Sequence, residues 1–198
     1  MAIDIAEIKR LKDLTGVGLT DAKVALTEAN GDFDKALQAM RKKGLTKAEK
    51  RGEREARAGT IGTYNHDGRI GVLVEVNCET DFVARGDTFQ DLVKDLTMHI
   101  AASNPEYVSS ADIPAADKKK VEAEFADKAK ADGKPADMVE KIVGGQVQKY
   151  FAERCLLDQP FVKNPDITVA DHVKANAALM NENVVVRRFS RIALGEVE

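Results

Sequence analysis

Cys78, Cys155, His66, His99 and His172 are the only cysteines and histidines in this 198-residue chain, and nucleophilic or metal chemistry is sought first among such residues. Cys78 ends a β-prone run and His99 falls in the helix that follows, so the two have the types of a nucleophile and its base. Residue type alone supports that pairing. The three histidines are spread over a turn and two helices with no Ser or Cys motif beside them, and no catalytic constellation converges. The cysteines stand far apart with no histidine at ligand spacing, which indicates neither a zinc site nor a disulfide framework. Two buried thiols, no metal, no cofactor and no enzymatic role are expected. Gly144-Gly145 falls in mid-helix and not after a strand, so it lacks the setting of a phosphate-binding loop. Each such glycine costs a helix about 1 kcal/mol relative to alanine, which predicts that something crosses closely there.

The stretch "VNCETDFVARGDTF" from Val76 to Phe89 is different in kind. Asn77, Glu79 and Thr80 are turn or cap residues at the end of a buried strand, and they leave Asp81, Phe82 and Val83 on the way to the next helix. Two readings follow from the residues. In one, Asp81 caps a turn and Phe82 closes the core beneath it. In the other, Phe82 is an exposed anchor and Asp81 a charge that competes in a partner's site, because aromatic residues dominate interface hot spots.

The elements that must position this stretch are legible from periodicity. Ile5, Ile8 and Leu11 recur at helical spacing until Thr15-Gly16-Val17-Gly18. Thr20 is a candidate cap for a second helix bearing Ala22, Leu26 and Ala29, which Asn30-Gly31 ends. Asp32 offers a third cap before the stripe Phe33, Ala36, Leu37 and Met40, with Gly44 at the C-terminal position that favours positive φ. A charged, helix-prone connector runs from Leu45 to Ala58. The period then becomes two: Asp67-Gly68 marks a hairpin turn, and Ile70, Val72, Val74 and Val76 alternate toward one face.

Asp87 and Gln90 have the spacing of a capping box for a helix carrying Phe89, Leu92, Val93, Leu96 and Ile100 as far as Asn104-Pro105, and that helix should lie on the hairpin. Two further helices are read at about 114–132 and 135–156, the second with Met138, Ile142, Tyr150 and Phe151 inward. "LLDQPFVKNPDITV" reads as an extended, proline-punctuated crossing. Thr168 is placed to cap a last helix through Met180, and "ENVVVRRFSRIAL" returns to strand composition. Since a lone hairpin is marginal, the terminal strand is expected to join it as a third, with Arg187, Arg188 and Arg191 protecting an edge.

Composition excludes several classes of function. Hydrophobic residues at 43% and charged residues at 32% are ordinary for a globular chain. No segment approaches the ~20 apolar residues that span a bilayer, and the acids in "MAIDIAEIKRLKDL" do not fit a signal sequence, so a cytoplasmic location without membrane contact is expected. A net charge of −3 argues against a chain that lives on nucleic acid. Residues 1–58 do hold 13 basic and 10 acidic side chains, but Glu49, Glu53 and Glu55 interrupt the basic run, which reads as a solvated face.

Three stretches carry a resemblance: "LTGVGLTDAKVALTEANGDFDKALQAMRKKG", "EVNCETDFVAR" and "LLDQPFVKNPDITV". In that order they resemble the elongation factor Ts family, the nucleotide-exchange factors of elongation factor Tu. The resemblance implies an α+β fold: a ubiquitin-associated-like three-helix domain with its basic connector over residues 1–54, then a core over 55–198 with a three-stranded antiparallel sheet packed by helices. It also implies that the family's Thr-Asp-Phe-Val motif falls on Thr80, Asp81, Phe82 and Val83, with the Asp-Phe pair reaching the GTPase near its Mg²⁺ site and the aromatic ring disturbing Mg²⁺ and phosphate binding. Further contacts carried over by position involve Lys12, Leu19, Thr20 and Lys23 near the partner's guanine-binding region. Longer members carry a duplicated core and this chain has room for one, which implies a homodimer through the sheet. The sequence departs from the family pattern at Ala58-Gly59 and Gly145-Gln146, both read as structural positions. The competing reading is a non-enzymatic adaptor whose three-helix module binds a ubiquitin-like domain or nucleic acid.

Overall fold

A computed structural model describes residues 4–15, 18–40, 52–132 and 136–196. The expectations at Gly44, over residues 45–51 of the 45–58 connector, and for the side chain of Met138 lie outside the described residues. The chain forms two compact units: one from Met1–Gly59, Asn77–Gln90 and Val173–Val185, the other from Thr60–Val76, Asp91–His172 and Val186–Glu198.

In the first unit, α1 (Ile5–Thr15), α2 (Leu19–Glu28) and α3 (helical over 33–40) enclose a small core of Ile8, Leu11, Ala22, Ala25, Leu26, Ala36 and Met40. Two details differ from the sequence reading. Ile5 faces solvent, because it sits at the open end of α1, and α2 starts one residue before Thr20 behind Gly18, with no side-chain cap. Asn30 and Gly31 both take positive φ to end α2. Asp32 caps the third helix as expected, accepting the Lys35 N–H at 3.0 Å, and that contact holds its carboxyl below the usual range.

In the second unit, β1 (Ala58–His66) and β2 (Ile70–Cys78) form the hairpin, with Asp67 (φ 50°) and Gly68 (φ 68°) supplying the left-handed backbone that a two-residue primed turn requires. β5 (Val185–Ala193) pairs on the free side of β2, giving a three-stranded antiparallel sheet of order β1-β2-β5. Its register is fixed by the Leu194 N–H on the Arg69 carbonyl at 2.8 Å and by Arg188 on Glu75 at 2.7 Å.

Val72 and Val74 point inward, and α5 (Asp87–Ser103) lies on that face: a Cβ on Gly62 would meet the side chains of Val93, Thr97 and Val74. Arg191 corrects the expectation of an edge of three exposed arginines. Its side chain is only 10% exposed, pairs with Glu196 at 2.7 Å and reaches the Ala101 carbonyl.

α6 (Ala115–Ala131) and α7 (Ala136–Ala152) pack around Ile113, Val121, Phe151 and Cys155. α7 stops four residues short of the expected 156, and a 3₁₀ turn follows at Leu156–Asp158. The stretch read as an extended crossing is a small second sheet, β3 (Pro160–Phe161) against β4 (Asn164–Thr168). A Cβ on Gly144 or Gly145 would meet nothing within 4 Å, so among the described residues nothing makes the close crossing expected there. α8 (Val169–Met180) opens on a reciprocal cap in which Thr168 Oγ1 accepts the Asp171 N–H at 3.1 Å and Asp171 Oδ2 accepts the Thr168 N–H at 3.3 Å.

Candidate functional site

Strand β2 ends at Cys78, and two residues later the chain makes a single helical turn, α4, from Asp81 to Ala84. Thr80 is its N-cap. The residue is extended, and its hydroxyl accepts the Val83 N–H at 3.3 Å. At the other end Gln90 Nε2 donates to the Ala84 carbonyl at 2.6 Å, satisfying a group that four residues of helix leave without a partner. The expected capping box between Asp87 and Gln90 therefore does not close. Helix α5 begins at Asp87 itself, the Gln90 amide bonds the Gly86 carbonyl, and the Gln90 side chain serves the preceding turn. Gly86 sits between the two helices where space is tight, since a Cβ there would stand 3.3 Å from the Val83 carbonyl oxygen.

A turn held at both ends presents its side chains in a fixed way. Phe82 is 88% exposed, Asp81 is exposed, Val83 is half-buried and Ala84 is buried. The core-closing reading of Phe82 is overturned, since Ala84 faces inward and Phe82 faces solvent. Beside the ring lies an open cavity of about 810 Å³ lined by Phe82, Val83, Arg85, Thr88 and Met180. Its chemistry is an aromatic face and a carboxylate offered outward above an apolar floor, which suits recognition by another macromolecule.

Cys78 and His99 have other partners. The Cys78 thiol donates to the Thr80 carbonyl at 3.2 Å, and burial, reinforced by the Glu182 charge, pushes its pKa up, away from the thiolate a nucleophile needs. Within the second unit, His99 is fully buried. The Val162 N–H donates to its Nδ1 at 3.2 Å, so Nε2 carries the proton and donates to Gln159 Oε1 at 2.9 Å. Both cysteines are buried and free. Among the described residues no group of three or more His, Cys, Asp or Glu side chains could hold a metal ion, and no helix is long and apolar enough to cross a membrane.

Lys12, Leu19, Thr20 and Lys23 lie on α1 and α2 of the three-helix module, all exposed. Leu19 and Val24 are large apolar residues left outside the module's core. Sequence reasoning missed Glu182 and Gln90, whose side chains hold the two ends of α4. Gln90 has the spacing of a cap for α5 but its side chain serves α4. Glu182, in a polar link between α8 and β5, sits 102 residues from Thr80, and no local pattern connects them.

A model of the family described as Elongation factor TS matches residues 25–196. The chain is 49% identical over 197 residues to elongation factor Ts of Geobacter sulfurreducens, covering 99% of this chain and 91% of that one. It is 49% identical over 195 residues to elongation factor Ts of Moorella thermoacetica, covering 98% and 96%. To the same factor of Carboxydothermus hydrogenoformans it is 50% identical over 190 residues, covering 96% and 88%. With the family model spanning most of its length and relatives matched nearly end to end, the chain belongs to the elongation factor Ts family.

Proposed function

We propose that this chain is a guanine-nucleotide exchange factor for elongation factor Tu, acting without bond-making residues or a cofactor of its own. The observation that carries the reading is Phe82, a large aromatic residue held 88% exposed on a turn capped at both ends. Leaving such a ring in water forgoes roughly 1.5–3 kcal/mol of burial, which a partner's pocket restores on binding. Phe82 enters between helices of the GTPase's nucleotide domain, Asp81 competes electrostatically near its Mg²⁺ and phosphate groups, and Thr80 and Val83 hold the pair in place. Residues 1–54 act as a docking module through Lys12, Leu19, Thr20 and Lys23, and residues 55–198 act as the core.

Linkage makes such a protein an exchange factor. A factor that binds the nucleotide-free GTPase more tightly than the loaded one weakens nucleotide binding by the same ratio. It works in the cytoplasm, with no direct contact to nucleic acid. The test is release of fluorescent GDP from purified elongation factor Tu. Micromolar amounts of this chain should accelerate it, and an unchanged rate would sink the reading in favour of an adaptor role for the three-helix module.

We also propose that the chain works as a homodimer through the outer face of its sheet. Ile61, Leu73 and Ile192 are exposed there, around the Glu75–Arg188 pair. Apolar residues side by side on a strand face favour a second sheet over water. Light scattering should give twice the single-chain mass, and a single-chain mass at every concentration would rule the dimer out.

A further inference from the structure

We infer that Glu182 is a positioning residue for the Asp81–Phe82 turn, an inference that rests on the exchange reading above. Its carboxylate gathers three donors at the point where the chain leaves β2. Oε2 accepts the N–H groups of Glu79 at 3.0 Å and Thr80 at 3.1 Å, and Oε1 accepts the Thr80 hydroxyl at 2.6 Å. Hydrogen bonds to an ionised acceptor are about twice as strong as neutral ones, and this carboxylate has three.

The consequence for the turn is directional. With its proton committed to Glu182, the Thr80 hydroxyl has its lone pairs free to accept, and one of them takes the Val83 N–H at 3.3 Å. The carboxylate thus orients the cap that starts α4. The next residue reciprocates: the Asn183 N–H donates to Glu79 Oε1 at 2.7 Å, and Asn183 Nδ2 donates to the Arg54 carbonyl at 2.7 Å. Two consecutive residues after α8 therefore tie down the link that enters the turn.

An anchor is needed because α4 has four residues, and so short a helix has no stability of its own. Phe82, 88% exposed, has little packing to fix it, so its position follows the backbone on which it stands. Glu182 lies outside the Thr80–Val83 motif and acts through the motif's first residue.

The experiment compares Glu182→Ala, Glu182→Gln, Phe82→Ala and the Glu182→Ala/Phe82→Ala double variant. Release of fluorescent GDP from elongation factor Tu is measured at saturating factor, and amide hydrogen exchange is measured on the free factor. Glu182→Ala should slow saturated release at least tenfold and speed exchange of the Glu79 and Thr80 amides at least tenfold, while amides in the middle of α5 keep their protection. Glu182→Gln keeps an acceptor oxygen without the charge and should recover part of both.

The double variant should release GDP no more slowly than Phe82→Ala alone, since both act through one ring. Wild-type release by Glu182→Ala, or losses that multiply in the double variant, would overturn the inference. If Glu182→Ala does not fold, the Glu182→Gln variant decides: wild-type rates with unchanged amide protection would count against the anchor. Failure of the wild-type chain to accelerate release would instead remove the exchange reading, and the amide measurement would still report on the anchor.

Discussion

Phe82 and Ala84 stand two residues apart on one helical turn with opposite surroundings, Phe82 88% exposed and Ala84 5%. At about 100° per residue, side chains two positions apart diverge by about 200°, so burying one requires exposing the other. The small residue takes the inner position, and the large one is left in water.

Phe82→Ala should therefore leave the unfolding free energy within about 0.5 kcal/mol of wild type while stimulated GDP release is lost. A loss near the roughly 3–5 kcal/mol of a buried aromatic would return Phe82 to the core. Ala84→Leu should behave in the opposite sense, lowering stability by about 1–3 kcal/mol through overpacking. Chemical denaturation of the two variants checks both.

Two glycine positions should respond with opposite signs. Gly62→Ala puts a methyl inside the van der Waals envelope of the Val93 side chain, 3.1 Å from Thr97 Cγ2 and 3.3 Å from Val74 Cγ1, where α5 lies on the sheet. A cost of about 1–3 kcal/mol is expected. Gly144→Ala projects into open space from a helix interior and should stabilise by about 0.5–1 kcal/mol. Thermal unfolding of the pair decides, and destabilisation by Gly144→Ala would mean that something does cross α7 there.

Acid should weaken the second unit through His99. Burial lowers its pKa from the ordinary 6.5, with the Gln159 hydrogen bond opposing, and a proton on Nδ1 would face the Val162 N–H that now donates to it. As pH falls below about 6.5 the unfolded chain takes up a proton that the folded chain refuses, so this contribution is complete above that pH and is lost progressively below it. Melting temperatures between pH 8 and pH 5 should drop more steeply for the wild type than for His99→Gln. Parallel curves would show that His99 does not carry the effect.

The legible parts of the fold were those written in local periodicity. Ile70, Val72, Val74 and Val76 at period two, the Asp67-Gly68 turn, the α5 stripe from Phe89 to Ile100 and the Thr168 cap all follow from nearest-neighbour chemistry. The β3–β4 sheet escaped because two residues of strand have no period to read. The inward turn of Arg191 escaped because its partners come from α5 and the chain end, and charge alone argues for an edge.

The candidate site divides in the same way. Residue types and spacing are enough to place a strand end at Asn77-Cys78, a polar turn after it, and Asp81, Phe82 and Val83 ahead of a helix. They leave open whether Phe82 is core or surface, since one aromatic residue in a turn satisfies either reading. Tertiary structure decided that. Glu182, 102 residues away, and Gln90 on the next helix bond the two ends of α4, and those bonds rotate Ala84 inward and Phe82 into solvent. Which side of a four-residue helix faces the core depends on partners brought together only by folding.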